Sequence, residues 1–173
     1  MQGKFATLTV VKTAATSTAT TPATRWLNDA EMRTWRNYLE SFAELMTAFE
    51  ADLAPFGLTM GDYEVLVRLS EAPDRGLRMC DLAEALRLSP SGLTRRLDGL
   101  VRAGLVERKS CAADRRVAFA HLTDEGMRQL VIAAPAHVAG VRRHLFDPLT
   151  EDQVGELGDI FDTVRTRLNA NKG

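Results

Sequence analysis

Residues 88–105 have the sequence LSPSGLTRRLDGLVRAGL, and both ends of this stretch carry signals for one short helix. The Ser89 hydroxyl can accept a hydrogen bond from a free amide of the first helical turn, and Pro90 suits the first helical position because it has no amide hydrogen to leave unpaired. Gly104 suits the left-handed residue that follows a helix, with Leu105 folding back onto the last turn. The stretch therefore predicts a helix that starts after Ser89 and ends before Gly104.

The predicted helix has an apolar face and a polar face. Its large apolar residues recur at helical spacing and should pack inward: Leu93, Leu97, Leu100 and Val101. The other faces carry small or charged residues: Ser91, Gly92, Thr94, Arg95, Asp98 and Arg102. A helix that packs on one side and is polar and basic on the other is suited to enter the major groove of DNA.

The charge of the chain is unevenly distributed. The whole chain of 173 residues has a formal net charge of -1. Residues 87–116 contain eight basic and three acidic side chains, a net charge of +5, and the remainder has 14 basic and 20 acidic side chains, a net charge of -6. A basic segment on an acidic body is typical of a protein that attracts phosphates to one surface.

Composition and motifs argue against several other classes. A chain that is 45% hydrophobic and 26% charged suits one globular domain, and the sequence has neither an apolar run long enough for a bilayer nor a signal-peptide pattern, so we expect a cytoplasmic protein with no membrane partner. Cys80 and Cys111 form no CxxC pair, and we expect Cys80 to be buried. His137 and His144 lack the four-residue spacing of a metal-binding pair, so we expect both to pack at the surface or in a groove between protomers. The sequence contains no nucleophile-base pattern and no phosphate-binding glycine loop, and it predicts neither an enzyme nor a cofactor.

Five further helices and a hairpin surround the central helix. Capping patterns at Asn28, Thr59, Thr123 and Thr150 predict helix starts, the helix after Thr123 continuing to Leu145. A short helix at 81–86 precedes the central helix by only two residues, which predicts a helix-turn-helix unit. Extended runs at 105–109 and 116–122 predict a β-hairpin, or wing. Residues 1–25, rich in Thr and Ala, are expected to form a flexible tail, in which 5–11 alternate enough for a short strand.

This order of elements resembles the MarR (multiple antibiotic resistance regulator) family of winged helix-turn-helix regulators. The resemblance covers about residues 35–168 and rests on 81–83, 89–100, 103–108, the Asp114-Arg115-Arg116 motif and the LTDEG sequence at 122–126. The Asp-x-Arg motif followed closely by Leu-Thr-x-x-Gly is the most specific part. The implied fold is mainly α with a small β wing: a MarR-type domain at 26–173, with a winged helix-turn-helix lobe at 58–122 and dimerisation helices at 26–56 and 123–170.

The resemblance also implies a function, a homodimer that reads two half-sites of a palindromic double-stranded DNA operator. Carried over by position, the contacts to DNA come from the central helix and the wing: Ser89, Pro90, Ser91, Thr94, Arg95, Arg96, Asp114, Arg115 and Arg116. Arg116 would enter the minor groove, and Asp114 would orient the wing through a salt bridge. A narrow minor groove concentrates negative potential, which suits an arginine.

In this family a small molecule binds between the dimerisation helices and the DNA-binding lobe. Trp35, Tyr38 and Tyr63 are therefore candidates to contact a small aromatic or phenolic effector, although all three also suit an ordinary core. The resulting hypothesis is a sequence-specific dimeric repressor modulated by a ligand. Two alternatives remain open at this point, a winged helix used for protein interaction and a redox-responsive regulator acting through Cys111.

Overall fold

The computed structural model describes residues 24–110 and 117–170. In this part of the chain six α-helices surround a small antiparallel sheet, as the sequence predicts. The elements are α1 (Asp29–Leu53), α2 (Met60–Ser70), β1 (Gly76–Arg78), α3 (Met79–Ala85), α4 (Pro90–Arg102), β2 (Val106–Ser110), β3 (Ala118–Leu122), α5 (Asp124–Val141) and α6 (Glu151–Ala170). Short 3-10 turns follow α1 and α2, and a π-helical turn at Arg142–Phe146 follows α5.

The predicted helix starts are confirmed by their hydrogen bonds. Asn28 and Thr59 each form a capping box with the residue three positions later. Thr123 accepts from the Gly126 amide, and Thr150 exchanges hydrogen bonds with Gln153. These caps satisfy amides that the first turn of a helix leaves unpaired, which explains why the starts are predictable from the sequence.

The sheet contains one strand more than the predicted hairpin. β2 and β3 pair antiparallel, with Val106 opposite Leu122 and Arg108 opposite Ala120. β1 lies outside the predicted hairpin and pairs with the other edge of β3. The strand order is therefore β1-β3-β2, and β3 is the central strand.

The main core lies inside the winged-helix lobe, residues 58–122. Leu66, Leu82 and Leu97 are fully buried there, at the meeting of α2, α3 and α4. Leu53 at the end of α1 and Ala133 of α5 complete the same cluster. The apolar face predicted for α4 is thus one of the faces that close this core.

A widened turn ends α5 four residues earlier than predicted. The α-helix stops at Val141, and the π-helical turn lets two consecutive side chains reach one carboxylate: Arg143 Nη2 lies 2.7 Å from Asp52 Oδ1, and His144 Nε2 lies 3.1 Å from Asp52 Oδ2. Gly140 faces the same carboxylate, and a Cβ atom there would overlap Asp52 Oδ2. The turn therefore serves to dock the end of α5 on α1.

The apolar stripes of α1 and α6 are largely uncovered. On α1 only Phe49 and Leu53 are buried, and α6 has no buried residue. The exposed large apolar residues of these two helices are Met32, Trp35, Tyr38, Leu39, Phe42, Ile160, Phe161, Val164 and Leu168. None of the helices within 24–110 and 117–170 is long and apolar enough to cross a membrane.

Three expectations lie outside the described residues. The strand suggested for 5–11 and the flexible tail at 1–25 fall almost wholly in residues 1–23, and the tip of the wing falls in 111–116. Those parts of the sequence analysis stay predictions.

Candidate nucleic-acid interface

The N-terminus of α4 is organised by short polar side chains. Ser89 Oγ accepts from the Gly92 amide at 3.1 Å and lies 3.2 Å from Ser91 Oγ, while Pro90 occupies the first helical position. Thr94 Oγ1 donates to the Pro90 carbonyl oxygen at 2.9 Å, which leaves the lone pairs of this hydroxyl free to accept. All four side chains are exposed, so the first turn presents small polar groups to a partner.

The turns at both ends of α4 fix its orientation on the lobe. Between α3 and α4, the Leu88 amide donates to the Ala83 carbonyl and the Arg87 amide donates to the Glu84 carbonyl. This pair of bonds is a Schellman motif, with Arg87 in the left-handed conformation at φ 53°.

The C-terminal end of α4 repeats the same motif as predicted. Gly104 takes φ 72°, and the Leu105 amide donates to the Leu100 carbonyl at 2.9 Å. Because both ends are closed by backbone hydrogen bonds, α4 is held as a rigid element.

The two adjacent arginines of α4 point in different directions. Arg95 is exposed, and within the described residues it has no acidic side chain within ion-pair distance. Arg96 is half-buried, and its guanidinium lies against Gly61 in the first turn of α2, where any Cβ atom would overlap it. Arg95 is thus available to DNA in this arrangement, whereas Arg96 packs between α4 and α2.

Part of the basic charge predicted for this segment is paired with acids. Arg108 lies 2.9 Å from Asp98, and Lys109 pairs with Glu107 on the same strand. Arg87, Arg95, Arg96 and Arg102 have no such acidic partner in the part of the chain that the structure describes. Among the described residues of this segment, the basic side chains without an acidic partner therefore lie on α4 and on the turn before it.

The wing contacts predicted from the sequence lie outside the described residues. Asp114, Arg115, Arg116 and also Cys111 fall in 111–116. Cys80, expected to be buried, is instead exposed, with its Sγ 3.2 Å from Asp81 Oδ1. The residue lies in the first turn of α3, where only Leu82 and Ala83 of that helix are covered by the core.

The three candidate effector contacts do not lie together in one chain. Tyr63 is buried and its ring lies 4.5 Å from the ring of His137. Trp35 and Tyr38 are about half exposed and stack on each other at 5.7 Å on the N-terminal half of α1. Since α1 rises about 1.5 Å per residue, Trp35 lies about 20 Å along the helix from Phe49, which is next to His137.

No sequence pattern marks His137 as a functional residue, but it occupies the junction between the lobe and the long helices. Its ring contacts Tyr63 of α2 and Phe49 of α1, and its buried Nδ1 has no hydrogen-bond partner among the described residues. Burial lowers the pKa of His137, and the Asp52 carboxylate partly opposes this shift. Burial also raises the pKa of the Tyr63 hydroxyl. Both histidine rings pack against Phe49, and the expectation that they lie at the surface or in a groove between protomers stays a prediction.

Comparison with known proteins shows which family this architecture is similar to. The MarR family model matches residues 56–117, the part that contains α2, the helix-turn-helix and β2. The solved structure of AbsC, a MarR family transcriptional regulator from Streptomyces coelicolor, is similar with a TM-score of 0.79 and 44% identity, covering 85% of this chain and 99% of that one.

Two further relatives are also transcriptional regulators. Sco3205, a MarR family transcriptional regulator from Streptomyces coelicolor solved in complex with DNA, is 38% identical with a TM-score of 0.79, covering 84% of this chain and 91% of that one. The transcriptional repressor YetL of Bacillus subtilis is 32% identical over 111 residues, which are 62% of this chain and 66% of YetL.

Proposed function

This chain belongs to the MarR family of transcriptional regulators, and on that premise we propose that it acts in the cytoplasm as a homodimeric repressor of a palindromic operator. The observation that carries the proposal is the exposed face of α4, which presents Ser91, Thr94 and Arg95 while the opposite face closes the core. In the proposed complex α4 of each protomer lies in a major groove. The wings reach the flanking minor grooves, where Arg116 is the inserted side chain.

The chemistry of this face suits DNA. The Arg95 guanidinium can donate two parallel hydrogen bonds to guanine O6 and N7, or bind phosphate oxygens. The hydroxyls at the first turn of α4 are short enough to let the helix backbone approach the duplex closely. The acidic remainder of the chain favours docking through this one surface.

A second copy of the chain is proposed to cover α1 and α6. Trp35 and Phe42 on α1, and Phe161 and Leu168 on α6, are each about half exposed, which is more apolar surface than two surface helices of a monomer usually show. A two-fold dimer would bury both stripes and set the two α4 helices about 34 Å apart, one turn of B-DNA.

The proposed effector is a small aromatic or phenolic molecule that binds where the lobe meets the long helices. Phe49, Tyr63 and His137 form an aromatic cluster at that junction, and the unpaired His137 Nδ1 offers a polar atom to a ligand. A ligand that binds better to a dimer with a different α4 spacing would weaken operator binding.

Operator binding is tested by fluorescence anisotropy with a duplex from the promoter of the chain's own gene. We expect salt-sensitive binding that prefers a palindrome, and a loss of about tenfold in affinity for Arg95→Ala. Arg128→Ala is the matched control, because Arg128 is an exposed arginine on α5 and should leave affinity unchanged. Arg116→Ala should also weaken binding while the dimer stays intact.

The same titration separates the proposal from a protein-interaction role. Binding of DNA releases counterions, so the logarithm of the affinity falls steeply with the logarithm of the salt concentration. Palindrome-selective binding that is absent in every buffer, or a loss in Arg128→Ala as large as that in Arg95→Ala, contradicts the proposal.

A further inference from the structure

Arg108 connects the wing to α4. Its Nη2 donates to the Thr94 carbonyl oxygen at 2.9 Å and to Asp98 Oδ1 at 2.9 Å. Within residues 24–110 and 117–170, these are the two hydrogen bonds that cross between α4 and the β2–β3 hairpin. We propose that this contact, the Arg108 bridge, positions the wing on α4 and keeps the Asp98 carboxylate away from the arginines that face DNA.

The strand geometry explains why position 108 can make this contact. Side chains alternate between the two faces of a strand, so Arg108 shares a face with Val106. Val106 is buried in the core, and the residues opposite the pair, Leu122 and Ala120, are buried as well. Arg108 therefore lies on the inner face of the hairpin, just outside the core, where this face meets α4.

An arginine fits the two acceptors better than a lysine does. Thr94 and Asp98 are four residues apart on α4 and so lie one turn apart on the same face. The planar guanidinium presents several donors in a fixed geometry, whereas an ammonium group is a compact point charge on a flexible stem. The bridge therefore restrains the angle between the hairpin and α4 as well as their distance.

The bridge also determines which partner Asp98 takes. Asp98 lies three residues after Arg95 and four before Arg102, spacings at which acidic and basic side chains pair readily on a helix. The carboxylate pairs with Arg108 instead, and within the described chain neither Arg95 nor Arg102 has an acidic side chain at ion-pair distance. Loss of Arg108 would release Asp98 to pair with Arg95 and reduce the positive potential of the DNA-facing surface.

Two simpler interpretations give different expectations. If Arg108 were a direct phosphate contact, removal of the nearby Asp98 carboxylate would strengthen DNA binding, because an anion beside a polyanion is unfavourable. If the pair were an ordinary surface ion pair, neither substitution would change DNA binding, since exposed pairs contribute about 0–1 kcal/mol to stability. The side chain of Arg108 is 35% exposed and that of Asp98 is 52% exposed, so both interpretations require a test.

The test compares four full-length proteins in the anisotropy titration: wild type, Asp98→Ala, Arg108→Ala and the double variant. We expect Asp98→Ala to weaken operator binding about threefold and Arg108→Ala about tenfold. The double variant should lie between them, because it also loses the hydrogen bond to Thr94 but leaves no carboxylate to pair with Arg95. Arg108→Lys should recover only part of the loss. Glu125→Ala, which removes an exposed acid from an ion pair on α5, is the control and should not weaken binding.

The salt dependence distinguishes positioning from contact. In the proposal the slope of log affinity against log salt is unchanged in Asp98→Ala. Tighter binding by Asp98→Ala, together with a slope lower by about one in Arg108→Ala, would assign Arg108 to a phosphate and overturn the bridge. Four equal affinities would overturn it as well.

The proposal rests on the proposed DNA-binding function, and a second measurement separates the two. Amide hydrogen exchange without DNA should be faster at 106–110 and 118–122 in both single variants, while α2 exchanges as in the wild type. If the wild type binds no operator, the proposed function fails and the exchange rates still decide whether the bridge holds the wing. Unchanged exchange in both variants contradicts the bridge whatever the titration shows.

Discussion

The winged-helix lobe and the long helices α1 and α6 use their apolar side chains in opposite ways. In the lobe, Leu66, Leu82 and Leu97 are inaccessible to solvent, although the lobe is built from short elements. On α1 and α6, the two longest helices within 24–110 and 117–170, Phe42 and Phe161 are about half exposed. The lobe thus closes a core that Leu53 of α1 and Ala133 of α5 complete, whereas the exposed stripes of α1 and α6 require a partner surface.

The largest expected effect is a loss of lobe stability in Leu97→Ala. Leu97 is fully buried and lies on α4, and truncation of a buried leucine costs about 3 kcal/mol through lost burial and the remaining cavity. The free energy of unfolding is measured by urea denaturation followed by circular dichroism.

Leu168→Ala is the matched control for that measurement. It removes the same atoms from α6, where the side chain is 57% exposed. In dilute protein it should change the free energy of unfolding by a few tenths of a kcal/mol. Equal losses in the two variants would remove the contrast between lobe and long helices.

The next effect is the loss of self-association in Phe42→Glu. A carboxylate at the centre of the α1 stripe would be desolvated in a dimer, so we expect a monomer in sedimentation velocity and operator affinity lower by about 100-fold because the two half-sites are no longer bound together. The lobe should unfold at the same urea concentration as in wild-type monomer.

Asn37→Glu adds the same charge to an exposed polar position of α1 and serves as the control. It should remain a dimer with wild-type affinity. A Phe42→Glu protein that is still dimeric would show that the dimer uses another surface.

Features of the chain that depend on neighbouring residues were predictable from the sequence, and features that depend on distant ones were not. The caps at Asn28 and Thr59 and the Gly104 turn follow from residues within about four positions. The pairing of β1 with β3 joins residues more than 40 positions apart, and no local pattern at Gly76 indicates it.

The same distinction applies to the candidate site. The exposure of Arg95 follows from the helical period of α4, but the packing of its neighbour Arg96 on Gly61 depends on how α2 crosses α4. The position of His137 between α1 and α2 likewise depends on three helices meeting. Helical periodicity assigns a face to a residue, and tertiary packing decides what covers it.

A smaller effect is expected at the junction between the two regions, where stability should depend on pH through His137. Burial lowers its pKa in the folded state, so below the unfolded value of about 6.5 the unfolded chain binds a proton that the folded chain does not. The stability contributed by neutral His137 is thus present above about pH 6.5 and is lost as the pH falls.

His137→Phe tests this dependence by urea denaturation between pH 5 and pH 8. The substitution removes the titrating group and the unpaired Nδ1, so the variant should be at least as stable as the wild type at pH 7. Its advantage in the free energy of unfolding should increase as the pH falls. A parallel pH dependence in both proteins would show that His137 does not couple protonation to folding.

The smallest effect is expected at the turn that joins α3 to α4, in Arg87→Gly. Arg87 takes φ 53°, a left-handed conformation that disfavours any side chain with a Cβ atom and that glycine adopts without strain. Relief of this strain is partly offset by the greater freedom of glycine in the unfolded chain, so we expect a gain of about 0.5 kcal/mol in the free energy of unfolding. Arg68→Gly, within α2, should instead lose about 1 kcal/mol, because glycine is a poor residue inside a helix.

The gain in stability expected for Arg87→Gly belongs to the lobe alone, so it should be the same in the monomeric Phe42→Glu background. A gain that appears only in the dimer would mean that the turn between α3 and α4 is part of the surface shared by two copies, and the separation of lobe and long helices would no longer hold.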